Sequence, residues 1–144
     1  MICYHTKKDS KSLSKELVGK RYSLKMQFIL GCCQSTKMKI LSFHGSKWPT
    51  QTGYHAKTND TGCIELRPRG IVVHLNINDQ KVYWIVPFYK LNLFRSNGIH
   101  IYADGHKISL IENSQYRNRN SVFLKMLLSK ISDASNENQL IMYG

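Results

Sequence analysis

From Cys63 to Ile111 the chain alternates between short β-type runs and connections too brief to carry a crossover, and this limits its fold more than any other feature. Cys63-Ile-Glu-Leu-Arg67 alternates cleanly, Ile64 and Leu66 to one side, Glu65 and Arg67 to the other. Pro68-Arg-Gly70 reads as a tight turn in which proline presets φ and glycine supplies a positive one. Ile71–Ile77 follows, with Ile71, Val73, Leu75 and Ile77 on one face and Val72, His74 and Asn76 on the other. Asn78-Asp79-Gln80 closes a hairpin into the next run, and Ser96-Asn97-Gly98 turns into Ile99–Ala103. Asp104-Gly105, the strongest short hairpin signal in the chain, leads to His106–Ile111. Parallel neighbours need a crossover of about a dozen residues, so these strands are antiparallel.

The run between the second and third turns, KVYWIVPFYKLNLF (Lys81–Phe94), is the most apolar in the chain, yet too short and interrupted to span a membrane. Val82, Trp84 and Val86 face one way, Tyr83 and Ile85 the other. Pro87 cannot donate a ladder hydrogen bond, so it marks an edge, a bulge or a sharp bend. Phe88, Leu91 and Leu93 then return to the core. The run therefore reads as the bent core of a small sheet rather than as an aromatic ligand site.

Two further elements frame these strands. Lys39–Phe43 is a strand candidate, separated from Cys63 by a polar loop over 45–62. Within Asn120–Ile131, Val122, Phe123, Met126, Leu127 and Ile131 recur at helical spacing, and Asn118 or Asn120 can serve as N-cap. The expected class is α+β, mostly β: an antiparallel sheet closed by one C-terminal helix. One domain is expected over 38–132, preceded by a basic leader (1–37, weakly structured or a short helix near Leu13–Leu30) and followed by a frayed tail (133–144). MKILSF at Met38 reads naturally as the opening of the compact part.

The formal net charge is +12 over 144 residues. Residues 1–37 hold eight Lys/Arg against Asp9 and Glu16, and residues 38–144 hold thirteen against seven. Half the excess thus lies in the first quarter of the chain, where it favours an anionic partner, nucleic acid or an acidic lipid surface, or simply solubilises the leader. Cys3, Cys32, Cys33 and Cys63 form neither a CxxC nor a spaced framework, so free thiols in a reducing cytoplasm are expected. The alternative is an exported lipoprotein, since Ile29-Leu-Gly-Cys32 loosely resembles a lipobox. Against it, the apolar segment before Cys32 is short and contains Gln27.

The order Leu66-Arg-Pro-Arg-Gly70-Ile71, Ile85–Leu91 (IVPFYKL), Gly98–Leu110 (GIHIYADGHKISL) and an apolar helix resembles bacterial pleckstrin-homology-like (PH-like) domains over about residues 60–132. The resemblance implies a strongly bent, seven-stranded sheet or partly open barrel with a helix plugging one end. It also implies a binding or assembly module in which basic loops at the barrel mouth can face phosphate groups. The chain departs from that pattern in its leader and in the 45–62 loop.

Candidate chemistry falls on the loops. Lys47, Trp48, Tyr54, His55 and Lys57 interleave aromatic and basic residues, which suits stacking on single-stranded bases, although packing of the loop onto the sheet explains the same residues more simply. Tyr116, Arg117 and Arg119 repeat the theme before the helix. Arg67 and Arg69 flank Pro68 and could meet an acidic ligand, or be solvated turn charges. The histidines lack metal-ligand spacing, although His74, His100 and His106 could meet across a sheet face. No catalytic motif occurs, and the acidic residues fall mostly in turns and tails. The expected function is a non-catalytic binding or interaction module with a basic arm, without cofactor or bound metal. A nucleic-acid-associated protein is the alternative, and a small metal-binding protein or enzyme the third. Expected partners are a protein or an anionic ligand, with nucleic acid and peripheral membrane contact open and no transmembrane segment. Tentative binding residues are Lys47, Trp48, Tyr54, Lys57, Arg67 and Arg69.

Overall fold

The computed structural model describes residues 2–4, 15–30, 33–44, 60–77 and 79–143. Eight strands form one sheet: β1 (Ile2–Tyr4), β2 (Met38–His44), β3 (Thr61–Arg67), β4 (Gly70–Ile77), β5 (Gln80–Pro87), β6 (Asn92–Arg95), β7 (Ile99–Ala103) and β8 (His106–Ile111). The helices α1 (Leu24–Leu30) and α2 (Arg117–Tyr143) accompany them, and residues 15–18 form a further helical turn among those described. The strand order is β1-β5-β4-β3-β2-β8-β7-β6, and every strand pair is antiparallel. The protein is α+β and mostly β, with the helix after the last strand, as the turn spacing predicts.

β2 joins two halves of this sheet. Its first residues pair with β3 (Met38↔Gly62, Lys39↔Thr61), and beyond a shift between Ile40 and Ser42 it continues along β8. That irregularity bends the strand from one half into the other. The extent of the bend can be read from Trp84 on β5 and His106 on β8. Their rings lie 6.5 Å apart although the strands are four steps apart in the order. In a flat sheet four steps would span about 19 Å. The sheet therefore curls around its apolar side, where Ile64, Leu66, Trp84, Ile101 and Ile108 share one core with Phe123, Leu124 and Leu127 of α2.

Several local expectations need correction. Gly70 has no positive φ; Asp79, Asn97, Gly98, Asp104 and Gly105 supply those at the other turns. Gly70 is needed because a Cβ there would lie 2.3 Å from the Val86 carbonyl oxygen and 2.5 Å from Val18. Pro87 ends β5 with φ −64°, and a 3-10 turn over Phe88–Lys90 carries the chain to β6. It marks the bend expected of it. On α2, Phe123, Met126, Leu127 and Ile131 pack on the core as expected, but Val122 is exposed and Leu124 is buried in its place. The helix also continues to Tyr143, past Ile131, through a segment with no glycine or proline to stop it. Asn120 is no cap: it is fully buried inside the helix, while Asn113 caps the preceding 3-10 turn.

Several parts of the N-terminal segment lie against the sheet, although Leu24 and Met26 of α1 are exposed. Ile2–Tyr4 pairs with β5, and Val18 is fully buried against Val72 and Ile85 on the convex face, with Leu17 and Tyr83 around them. Leu66 N–H donates to the Cys33 carbonyl (2.8 Å), Ser35 N–H donates to the Ile64 carbonyl (2.8 Å), and Ile64 N–H donates to Ser35 Oγ (2.8 Å). These bonds occupy the side of β3 that β2 leaves as it turns away. Asn120 closes the arrangement: its Oδ1 accepts from Thr36 N–H and Oγ1, both at 3.1 Å, and its Nδ2 donates to Glu112.

Candidate functional site

The convex face of β3 carries Cys63, Glu65 and Arg67, as its alternation requires, but all three are buried. Glu65 is the hub. Its Oε1 lies 2.9 Å from His74 Nε2 and 3.3 Å from Arg67 Nη2. Its Oε2 lies 3.1 Å from Arg21 Nε and 3.2 Å from Arg67 Nε, contacts of ion-pair distance without good hydrogen-bond alignment. Burial works to raise the Glu65 carboxyl, but the hydrogen bonds from His74 and Arg67, with their charges, outweigh it and hold the group below its ordinary value. A carboxylate so clamped stays ionised and is poorly suited to act as a free base.

The N-terminal segment supplies the other half of this arrangement. Arg67 Nη1 donates to the Gly19 carbonyl at 3.0 Å. Arg69 N–H donates to the Val18 carbonyl at 2.9 Å, and the exposed Arg69 guanidinium reaches the Glu16 carbonyl at 3.2 Å. Gly19, at φ +92°, sits against Pro68 with room for no larger residue without displacement. Three backbone carbonyls of residues 16–19 are thus held by the β3–β4 turn.

Two clefts open beside Glu65. One, of about 230 Å³, is lined by Arg21, Tyr22, Gln27, Gln34, Glu65 and Arg119 among others. The second, of about 250 Å³, is lined by Lys37, Cys63, His74, Lys81 and Tyr83, and shares Gln34 with the first. Burial pushes the Tyr22 phenol up, with Cys33 adding to the shift. Burial likewise raises the Cys63 thiol, against which the hydrogen bond from Gln34 at 3.3 Å acts only in part. Cys63 is therefore a weak nucleophile. Arg21, Arg119, Gln27 and Gln34 line the first cleft together with Glu65, whose charge Arg67 and Arg21 offset. Such a lining favours an anionic group.

The expected site residues separate. Lys47, Trp48, Tyr54 and Lys57 lie outside the described residues, as does Cys32. Arg67 is not a solvated turn charge: it is 9% exposed and committed to Glu65 and Gly19. Arg69 is exposed and points toward the N-terminal segment, so the two arginines do not converge on one ligand. The three histidines do not meet either. His74 contacts Glu65, His100 contacts Ser109 Oγ and the Ser96 carbonyl, and His106 packs near Trp84. Among the described residues no three His, Cys, Asp or Glu side chains come together as a metal centre would need, and Cys63 is a thiol rather than a disulfide. No described helix is long and apolar enough to cross a membrane. Arg119 belongs to the group with Tyr116 and Arg117 noted in the sequence, and Glu65 and Arg67 are opposite charges two residues apart on one strand, whereas Arg21 and Gln34 carry no sequence signal of their own.

Comparison of the chain with protein families, curated proteins and solved structures finds no match.

Proposed function

We propose that the chain is a small PH-like binding or interaction module that takes an anionic ligand group and performs no chemistry on it. The carrying observation is the cleft beside Glu65, lined by Arg119, Arg21, Gln27 and Gln34, around a carboxylate already held by Arg67, His74 and Arg21 itself. The architecture is supported by the curled antiparallel sheet and the helix that follows its last strand. The net charge of +12 supports an acidic partner.

Titration of isotopically labelled protein with inorganic tripolyphosphate, followed on the arginine Nε–H resonances, tests the reading. Saturable shifts at Arg21 and Arg119, abolished in Arg119→Ala, are expected. Unsaturable shifts spread evenly over all basic side chains would contradict it.

A further inference from the structure

The other half of the sheet presents a different surface on its convex side. Cross-strand partners share a face, and the register places two rows of residues across four strands. One row is Phe94 (β6), His100 (β7), Ser109 (β8) and Ser42 (β2). The next is Asn92, Tyr102, Lys107 and His44 on the same strands. Lys39 and Ile111 continue the face at its far end, paired with each other. Neither row contains an acidic residue. Asp104 and Glu112, just beyond the ends of β7 and β8, are each paired to a cation, Lys90 and Arg95 respectively.

The aromatic groups form a column. Lys107 Nζ lies 5.1 Å from the centre of the Tyr102 ring. Phe94 stacks on Tyr102 from the neighbouring strand, with centroids 5.1 Å apart and an interplanar angle of 25°. The His100 ring packs beside Phe94 at 5.7 Å and is fixed by its two hydrogen bonds, to Ser109 Oγ and to the Ser96 carbonyl, both 2.8 Å. Phe94, with both Tyr102 and His100 against it, is still 50% exposed. It stands on β6, the last strand in the sheet order, where nothing described covers it.

We propose that this face binds single-stranded nucleic acid, with a base stacking on Phe94 and the backbone phosphates meeting Lys107 and Lys39. An aromatic ring accepts any base on its exposed face, and Lys107 beside Tyr102 can take an adjacent phosphate. Lys39, three strands from Phe94, can take one farther along the strand of nucleotides. The arrangement fits a membrane surface less well. Insertion needs contiguous apolar side chains, whereas here the rings are flanked by Ser42, Ser109, Asn92 and His44. The surface lies on the opposite half of the sheet from the cleft beside Glu65 and does not depend on it.

The test is fluorescence anisotropy with a labelled oligothymidylate, using the full chain. Phe94→Ala is expected to weaken binding about tenfold, the range for loss of one base–aromatic stack. Phe94→Leu should weaken it comparably, because it keeps apolar area but loses the ring. Val122→Ala, which truncates an exposed apolar residue on α2, should leave binding unchanged. With two phosphates contacted, raising salt from about 50 to about 200 mM should cost about sevenfold, and Lys107→Gln should flatten that dependence. Since Phe94 is half exposed, the variants should keep the parent melting temperature. Should Phe94→Ala unfold the protein, Phe94→Leu and Lys107→Gln carry the test. Binding equal in parent and Phe94→Leu would overturn the proposal. So would a preference for phosphatidylserine vesicles over the oligonucleotide.

Discussion

The two convex half-faces of this sheet follow the same alternation and end in opposite environments. On β3–β5, Glu65, Arg67, Val72 and Ile85 face away from the main core and are buried beneath the N-terminal segment, whereas His74, Tyr83, Asn76 and Lys81, farther along the same face, are partly or wholly open. On β6–β8 the corresponding positions are Phe94, His100, Tyr102 and Lys107, and they remain wholly or partly open. Strand alternation separates the faces of a sheet, but it does not say whether the second face meets water or another layer. What differs is that one half has a chain segment to cover it. The covered half then has to satisfy its polar groups internally: the backbone bonds from residues 33–35 do so for β3, and Glu65 Oε2 and Arg67 Nε meet at ion-pair distance. The open half can leave its polar groups to solvent and keep its aromatic rings for a partner.

If that contrast is right, removing residues 1–37 has the largest effect of any change considered. Deletion exposes Val72 and Ile85, strips Arg21 from Glu65 and leaves the Ile64 and Leu66 amides without their partners. Loss of the cooperative thermal transition, seen by circular dichroism, is expected. A sharp transition in the shortened chain would make the segment an accessory and the domain boundary Met38.

Glu65→Ala comes next. It leaves Arg67 buried and unpaired, and breaking a buried pair costs about 3–5 kcal/mol, measurable by urea unfolding. The same carboxylate makes the protein acid-sensitive. Its folded value lies below the unfolded one, so its contribution is complete above the unfolded value and is lost as pH falls through the folded one. Stability of the parent should therefore decline below the ordinary glutamate range, and Glu65→Gln should flatten that decline.

Val18→Ala and Phe94→Ala form the finest comparison. Val18 is fully buried and packs on Val72 and Ile85, so its truncation should cost about 2 kcal/mol. Phe94 removes a larger side chain from the open half, yet its truncation should stay within about 0.5 kcal/mol of the parent. Equal costs would erase the distinction between the halves.

The strands, their turns and the inward set Ile64, Leu66, Ile71, Val73 and Trp84 are legible in the sequence because period-two alternation and turn chemistry are local. The placement of β2 between β3 and β8 is not, since that pairing joins residues about seventy positions apart and depends on how the whole sheet curls. The cover on β3–β5 left one trace. Val72 and Ile85, apolar residues on the nominally polar face, are direct cross-strand partners, and such a pair implies something packed above it. Glu65 opposite Val72 sharpened that hint, because a carboxylate beside an apolar pair needs cations. Which segment supplies the cover, and that Arg21 and Asn120 complete it, follows only from three-dimensional contacts between residues far apart in the chain.

Amide hydrogen exchange measures the contrast most directly. The Ile64 and Leu66 amides donate to Ser35 Oγ and to the Cys33 carbonyl, on the side of β3 that β2 has left. They should be protected as strongly as the amides between β4 and β5, while the outward amides of β6 exchange freely. Exchange at Ile64 and Leu66 as fast as on β6 would show that the N-terminal segment does not cover this half of the sheet.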